Sequence, residues 1–217
     1  MPVTRREFTQ SLGLMAAATV LPVRGWSNPP IEFTLTADKS SNNLSDKKTP
    51  NLPTKLWLFN QKTPGPMLRF NVGDRVKLKL RNELSEETSI HWHGIRLRNE
   101  MDGVVGLTQD GVKTGGTFLY DFELSDAGTY WYHSHNKAWE QVARGLYGPL
   151  IVYGQDDYKV DHDIVLMIDD WRLDANDQIM EKSFGSLHDW AHAGRLGNRI
   201  TVNGNANPLY SVRPNSR

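Results

Sequence analysis

Four histidines fall into two His-x-His pairs, His91-Trp92-His93 and His133-Ser134-His135, while His162, His188 and His192 stand apart. In an extended strand, residues two apart point to the same face, so each pair presents two imidazoles side by side. If the segment between the pairs folds back as neighbouring strands, the pairs converge and can bind metal. Imidazole suits copper, zinc, iron and nickel, so donor type alone leaves the ion open. One such pair is a weak signal; two in one sheet-like region, with aromatic residues at alternate positions, point to a metal site. Trp92 and Trp131 read as core aromatics beside it. His188 and His192 are four apart and would share one helix face, but Gly185 and Gly194 flank them and a solvent-facing loop or short helix is expected. His162, between two aspartates, reads as a surface residue.

The chain contains no cysteine. A disulfide framework, a thiolate zinc site and a nucleophilic thiol are therefore excluded, and any metal is held by nitrogen and oxygen. A blue-copper centre needs a cysteine thiolate beside two histidines, so none can be built from these residues.

The elements that must position the pairs read as strands and turns. Residues 31–36 alternate apolar and polar, residues 38–53 form a polar loop, and residues 55–60 give another strand. Pro64-Gly65-Pro66 turns the chain into 67–70, and Val72-Gly73-Asp74 turns it into 75–82, where Val76, Leu78 and Leu80 share one face and the basic residues share the other. That pattern is a sheet strand wet on one side. Between the pairs, Met101-Asp102-Gly103 and Gly115-Gly116 bracket a loop, residues 117–124 alternate as a strand, and Ser125-Asp126-Ala127-Gly128 turns back into the second pair. Residues 145–153 read as a closing strand, so one β-domain ends near Gly154. Strands recurring at this spacing favour a sandwich or barrel, and no long amphipathic helix is evident.

Length and composition bound the rest. At 217 residues the chain is one large domain, or one domain and part of another. A formal net charge of zero removes the electrostatic footprint of a nucleic-acid binder. Hydrophobic content of 38% is ordinary for a globular protein. No apolar run reaches the roughly 18 residues that a membrane-spanning helix requires. At the N-terminus, Arg5-Arg6 precedes a weakly apolar run over 11–21 containing Met15-Ala16-Ala17-Ala18. That order of charged and apolar regions predicts a twin-arginine-type signal over 1–28, with the twin-arginine export machinery as partner and a periplasmic or exported destination.

The ordered motifs Pro64-Gly65-Pro66, His91-Trp92-His93-Gly94, Met101-Asp102-Gly103, Gly128-Thr129-Tyr130-Trp131-Tyr132-His133-Ser134-His135 and Gly145-Leu146-Tyr147-Gly148-Pro149-Leu150 resemble the first cupredoxin domain of the multicopper oxidases, the family of laccases and bacterial copper-tolerance oxidases. The resemblance implies an all-β, cupredoxin-like Greek-key β-sandwich over 29–154. It also implies copper as cofactor, in a trinuclear cluster of one type 2 and two type 3 ions. By the same resemblance His91 is the type 2 ligand, His93, His133 and His135 are type 3 ligands, and Asp102 is the carboxylate that helps move protons during dioxygen reduction. As a turn residue before Gly103, Asp102 also has a purely local explanation.

Residues 161–171 resemble the opening strand of the family's second cupredoxin domain, and 200–204 with 210–214 a later piece of it. An incomplete second domain over 155–217 is therefore expected. The cluster takes eight histidines in the family, of which four are matched here, and the His-Cys-His segment that joins the blue copper to the cluster has no counterpart. The chain accordingly reads as the N-terminal part of an oxidase that takes electrons from a small phenolic or metal-ion donor and passes them to dioxygen, inactive by itself. The alternative is a non-catalytic copper-binding or assembly protein of the periplasm on the same scaffold. A cupin-type iron or manganese enzyme is disfavoured, because the first glutamate after His93 is Glu100, beyond the cupin spacing.

Overall fold

Period-two alternation becomes strand in segments such as Leu68–Asn71 and Arg75–Asn82. The computed structural model describes residues 29–46, 52–155, 159–187, 189 and 194–217; the expected signal segment, His188 and His192 lie outside them. In chain order the strands are β1 (Ile31–Asn42), β2 (Thr54–Phe59), β3 (Leu68–Asn71), β4 (Arg75–Asn82), β5 (His91–His93), β6 (Thr117–Glu123), β7 (Gly128–His133), β8 (Tyr147–Tyr153), β9 (Ile168–Trp171) and β10 (Arg199–Val202). A short helix, α1 (Ala138–Gln141), separates β7 from β8.

Two four-stranded sheets, β2-β1-β4-β6 and β3-β8-β7-β5, face each other as a sandwich. The chain crosses repeatedly between them, which is why β1 pairs with β4, and β3 with β8, in parallel. The core fills the space between. Val76, Leu78 and Leu80 of β4 are fully buried, as the alternation requires, and meet Phe70, Trp92, Tyr132 and Leu150 from the other sheet. Each such side chain contributes about 1.5–3 kcal/mol through its removal from water. Trp92 packs on Tyr120, Phe122 and Tyr132 at centroid distances of 5.3, 4.9 and 6.1 Å. The middle residue of the first histidine pair thus anchors β5 to the core.

Two expectations are corrected. The polar stretch after residue 37 does not leave the sheet at once: β1 continues to Asn42, with Asp38–Asn42 paired to Leu58–Thr54 of β2. Ladder hydrogen bonds use backbone groups alone, so polar side chains on a wet sheet margin do not end a strand. Within 161–171, only Ile168–Trp171 is strand, paired antiparallel with β10.

The C-terminal segment lies against the sandwich. Trp171, Leu173 and Ile179 share a second apolar cluster with Leu56, Leu58 and Tyr147. The indole Nε1–H of Trp171 donates to Thr201 Oγ1 at 2.8 Å, tying β9 to β10. Polar ties reinforce this contact: Thr54 Oγ1 donates to the Asp177 carbonyl at 2.7 Å, and Arg144 pairs with Glu181 at 2.9 Å. Among the described residues, no helix is long and apolar enough to cross a membrane.

Candidate metal centre

The register of β5 against β7 builds the site. His91 lies opposite His133, Trp92 opposite Tyr132, and His93 opposite Trp131. Alternation sends Trp92 and Tyr132 into the core, where both are fully buried. The same alternation brings His91, His93, Trp131 and His133 together on the outer face of the sheet. Ring centroids of His91 lie 5.6 Å from His93, 5.3 Å from His133 and 5.2 Å from His135. One ligand atom from each of His91, His93 and His133 falls within 4.8 Å of the others.

The second pair differs from its expected form. β7 ends at His133, so Ser134 and His135 lie beyond the strand. Their placement is set by loop contacts: Ser134 N donates to the Leu146 carbonyl at 3.0 Å, and His135 N to Ser89 Oγ at 3.3 Å. The His133 and His135 rings remain nearly parallel, 6.0 Å apart at 28°.

Hydrogen bonds hold two of the rings in ligand-ready form. His91 Nδ1 lies 2.8 Å from the Asp102 carbonyl, and His133 Nδ1 lies 2.8 Å from the Ser134 carbonyl. A carbonyl only accepts, so in each ring Nδ1 carries the proton and Nε2 keeps its lone pair for a metal. His133 Nε2 is turned toward His93 Nδ1 at 3.3 Å. Burial pushes the His133 imidazole down to about 4; the Ser134 carbonyl opposes this, and His91, His93 and His135 add to it. The ring is therefore neutral and able to coordinate well below neutral pH. Trp131 walls the group, stacking on His133 at 4.1 Å and 27° and on His93 at 5.0 Å and 30°.

Asp102 reaches the site through a glycine. Gly103 has φ +81°, and a Cβ there would lie 1.8 Å from the Ile90 carbonyl oxygen. Only glycine permits the 99–103 turn to cross so close to the strand that leads into His91. Asp102 is thereby brought to His91 by both its carbonyl and its carboxylate, Oδ1 lying 3.3 Å from Nδ1.

The structure thus gathers all five residues expected from sequence: His91, His93, His133 and His135 by ring contact, and Asp102 by contact with His91. His162 is exposed, its backbone N–H donating to the Arg217 carbonyl. Sequence reasoning missed the stacking role of Trp131 and the buried polar residues Thr88, Ser89 and Gln141 behind the second pair. The available signal was polar residues at positions flanking the histidines, which spacing alone does not distinguish from surface. A set of imidazoles plus one carboxylate, without thiolate, fits copper among the ions that favour nitrogen ligands.

Comparison with known proteins follows the same lines. The profile of the family described as multicopper oxidase matches residues 42–157. Copper resistance protein A of Pseudomonas syringae pv. tomato is 38% identical over 185 residues, covering 77% of this chain and 29% of that protein. Among solved structures, a multi-copper oxidase from Pseudomonas thermotolerans matches with TM-score 0.77 at 35% identity, covering 84% of this chain and 43% of that one. Lac15 from a marine microbial metagenome matches with TM-score 0.69 at 43% identity, covering 87% and 45%. The chain spans 29% to 32% of the length of the copper resistance protein A relatives it matches.

Proposed function

The chain belongs to the multicopper oxidase family, and on that footing we propose that it supplies half of the histidine ligands of a trinuclear copper cluster. The parent activity is one-electron oxidation of a phenolic or metal-ion donor coupled to reduction of dioxygen to water. The observation that carries this reading is the convergence of four imidazoles, three on the β5–β7 face and His135 from the loop just beyond it, two of them with Nδ1 fixed by backbone carbonyls. In the reading, His91 holds the type 2 ion, and His93, His133 and His135 contribute to the type 3 pair.

Copper bound there would supply the one-electron redox steps of the reaction. The residues of the chain do the rest. His91 and His133 present Nε2 while their Nδ1 protons are held by the Asp102 and Ser134 carbonyls. Trp131 shields the His93 and His133 rings from water on one side. Asp102, adjacent to His91, is the carboxylate able to hold a proton and pass it toward the cluster.

Residues 1–28 act in this reading as a twin-arginine export signal to the periplasm, 29–154 as the first cupredoxin domain and 155–217 as part of the second. A second reading rests on the absence of cysteine: no blue-copper entry point for electrons can be made from these residues, so the chain by itself would bind copper, or serve its assembly, without oxidising a donor. Cu(II) titration of the chain followed by metal analysis separates copper binding from its absence. Uptake lost in His91→Ala and His133→Ala but kept in His162→Ala supports the ligand set; equal uptake in all three contradicts it. Neither reading expects the copper-loaded chain alone to consume oxygen with a phenolic donor, so consumption there would contradict both.

A further inference from the structure

Behind the second histidine pair lie four polar side chains with no solvent exposure; Thr88, Ser134 and Gln141 are hydrogen-bonded to one another, and Ser89 stands beside them. The Gln141 amide oxygen accepts from Thr88 Oγ1 at 2.7 Å and also from Ser134 Oγ. Its Nε2 donates to the Glu87 carbonyl at 2.9 Å. Thr88 and Ser134 hydroxyls are themselves 3.2 Å apart, and Ser134 Oγ accepts from the Asn136 N–H at 3.3 Å. Ser89 Oγ accepts from His135 N. A buried hydroxyl or amide left unpaired is costly, so these shared bonds favour one arrangement of the three side chains over its alternatives.

The position of the set gives it a consequence. Residues 87–89 lead into His91, whereas Ser134 sits between His133 and His135, and Gln141 closes α1. β7 has already ended, so Ser134 and His135 are held by the one backbone bond from Ser134 N to the Leu146 carbonyl and by side-chain contacts. We propose that Gln141 is a positioning residue for the metal centre. Its one amide group ties the segment entering the first pair to the serine inside the second, and so sets the spacing and orientation of His133 and His135 relative to His91. The consequence for copper rests on the ligand reading above; the geometry of the brace does not. Ser134 carries both the hydroxyl held by Gln141 and the carbonyl that fixes the His133 Nδ1 proton. Loss of the brace therefore loosens the carbonyl that fixes the His133 tautomer.

The test uses the metal-free full chain and the imidazole nitrogen signals in long-range proton–nitrogen NMR correlation. Wild type should show His133 as the Nδ1–H tautomer. Gln141→Met, similar in shape but unable to accept two hydroxyls, should show mixed tautomers and faster exchange of the His135 amide. Thr88→Val should do the same and Thr88→Ser should restore the wild-type pattern; if Gln141→Met does not fold, the Thr88 pair carries the test. Leu35→Ala, which removes a buried side chain from β1 in the opposite sheet, should lose stability but keep the His133 tautomer. In the copper-loaded chain, Gln141→Met and Thr88→Val should bind Cu(II) about ten- to a hundredfold more weakly than wild type, the range typical of lost outer-shell partners. Wild-type imidazole signals in both Gln141→Met and Thr88→Val would overturn the brace whether or not copper binds. Absence of copper binding by wild type with the tautomer changes intact would overturn the copper reading and leave the brace standing.

Discussion

At the scale of single residues, the site depends on groups with very different visibility. His91, His93, His133 and His135 announce themselves by spacing, because only a few residue types hold transition metals and a doubled pair is rare. Asp102 was legible only through the resemblance to the family, since before Gly103 it also reads as a turn residue, and what makes it useful is Gly103. Gly103→Ala places a Cβ against the Ile90 carbonyl at a positive φ, so a loss of about 1–3 kcal/mol is expected in denaturant unfolding. Copper affinity should fall as well, since the turn that presents Asp102 to His91 has to move; unchanged affinity in the folded variant would separate Asp102 from the site. The stacking of Trp131 on two imidazoles was illegible in sequence for a physical reason. Its partner His93 is 38 positions away in sequence and comes opposite only through the β5–β7 register. The same holds for Gln141 and Thr88.

At the scale of elements, the strands were legible wherever one face is buried, as in β4, because burial imposes the period. They were illegible where backbone pairing alone extends a strand, as in the polar end of β1, and where a strand stops within a motif, as β7 does at His133. The contact between β8 and β9 carries two predictions. Trp171 is 1% exposed and joins β9 to the sandwich, so Trp171→Ala should cost about 3–5 kcal/mol, measured by urea unfolding; a cost below about 1 kcal/mol would mean that the second cluster is not a joint. Tyr147 donates its hydroxyl to Asp169, whose carboxyl burial nevertheless pushes up above the ordinary carboxylate range. The folded chain therefore binds this proton more tightly than the unfolded one. The associated stability is present in full below the unfolded value, near pH 4, and is lost as pH rises through the folded value. Thermal melts of wild type should show that loss as pH rises from about 4, and Asp169→Asn should flatten it; parallel pH profiles would exclude Asp169 as the source.

At the scale of the whole molecule, the sandwich supplies a rigid face and the metal centre occupies it. The two sheets with their shared core were readable from alternation and turn residues, and their cupredoxin identity from the order of motifs. The contact of the C-terminal segment with the sandwich was not, because its apolar residues meet β2 across more than 100 residues of sequence. On β9 and β10 Ile168 and Ile200 are 67% and 66% exposed, and Leu209 after them is 96% exposed. The central claim concerns the four imidazoles, and pulsed EPR of the Cu(II)-loaded chain tests it most directly by counting nitrogen couplings from coordinated histidine. Histidine couplings in wild type and in His162→Ala and His188→Ala, lost or reduced in His91→Ala and His133→Ala, are the predicted result. The same spectrum in all five proteins would contradict the account.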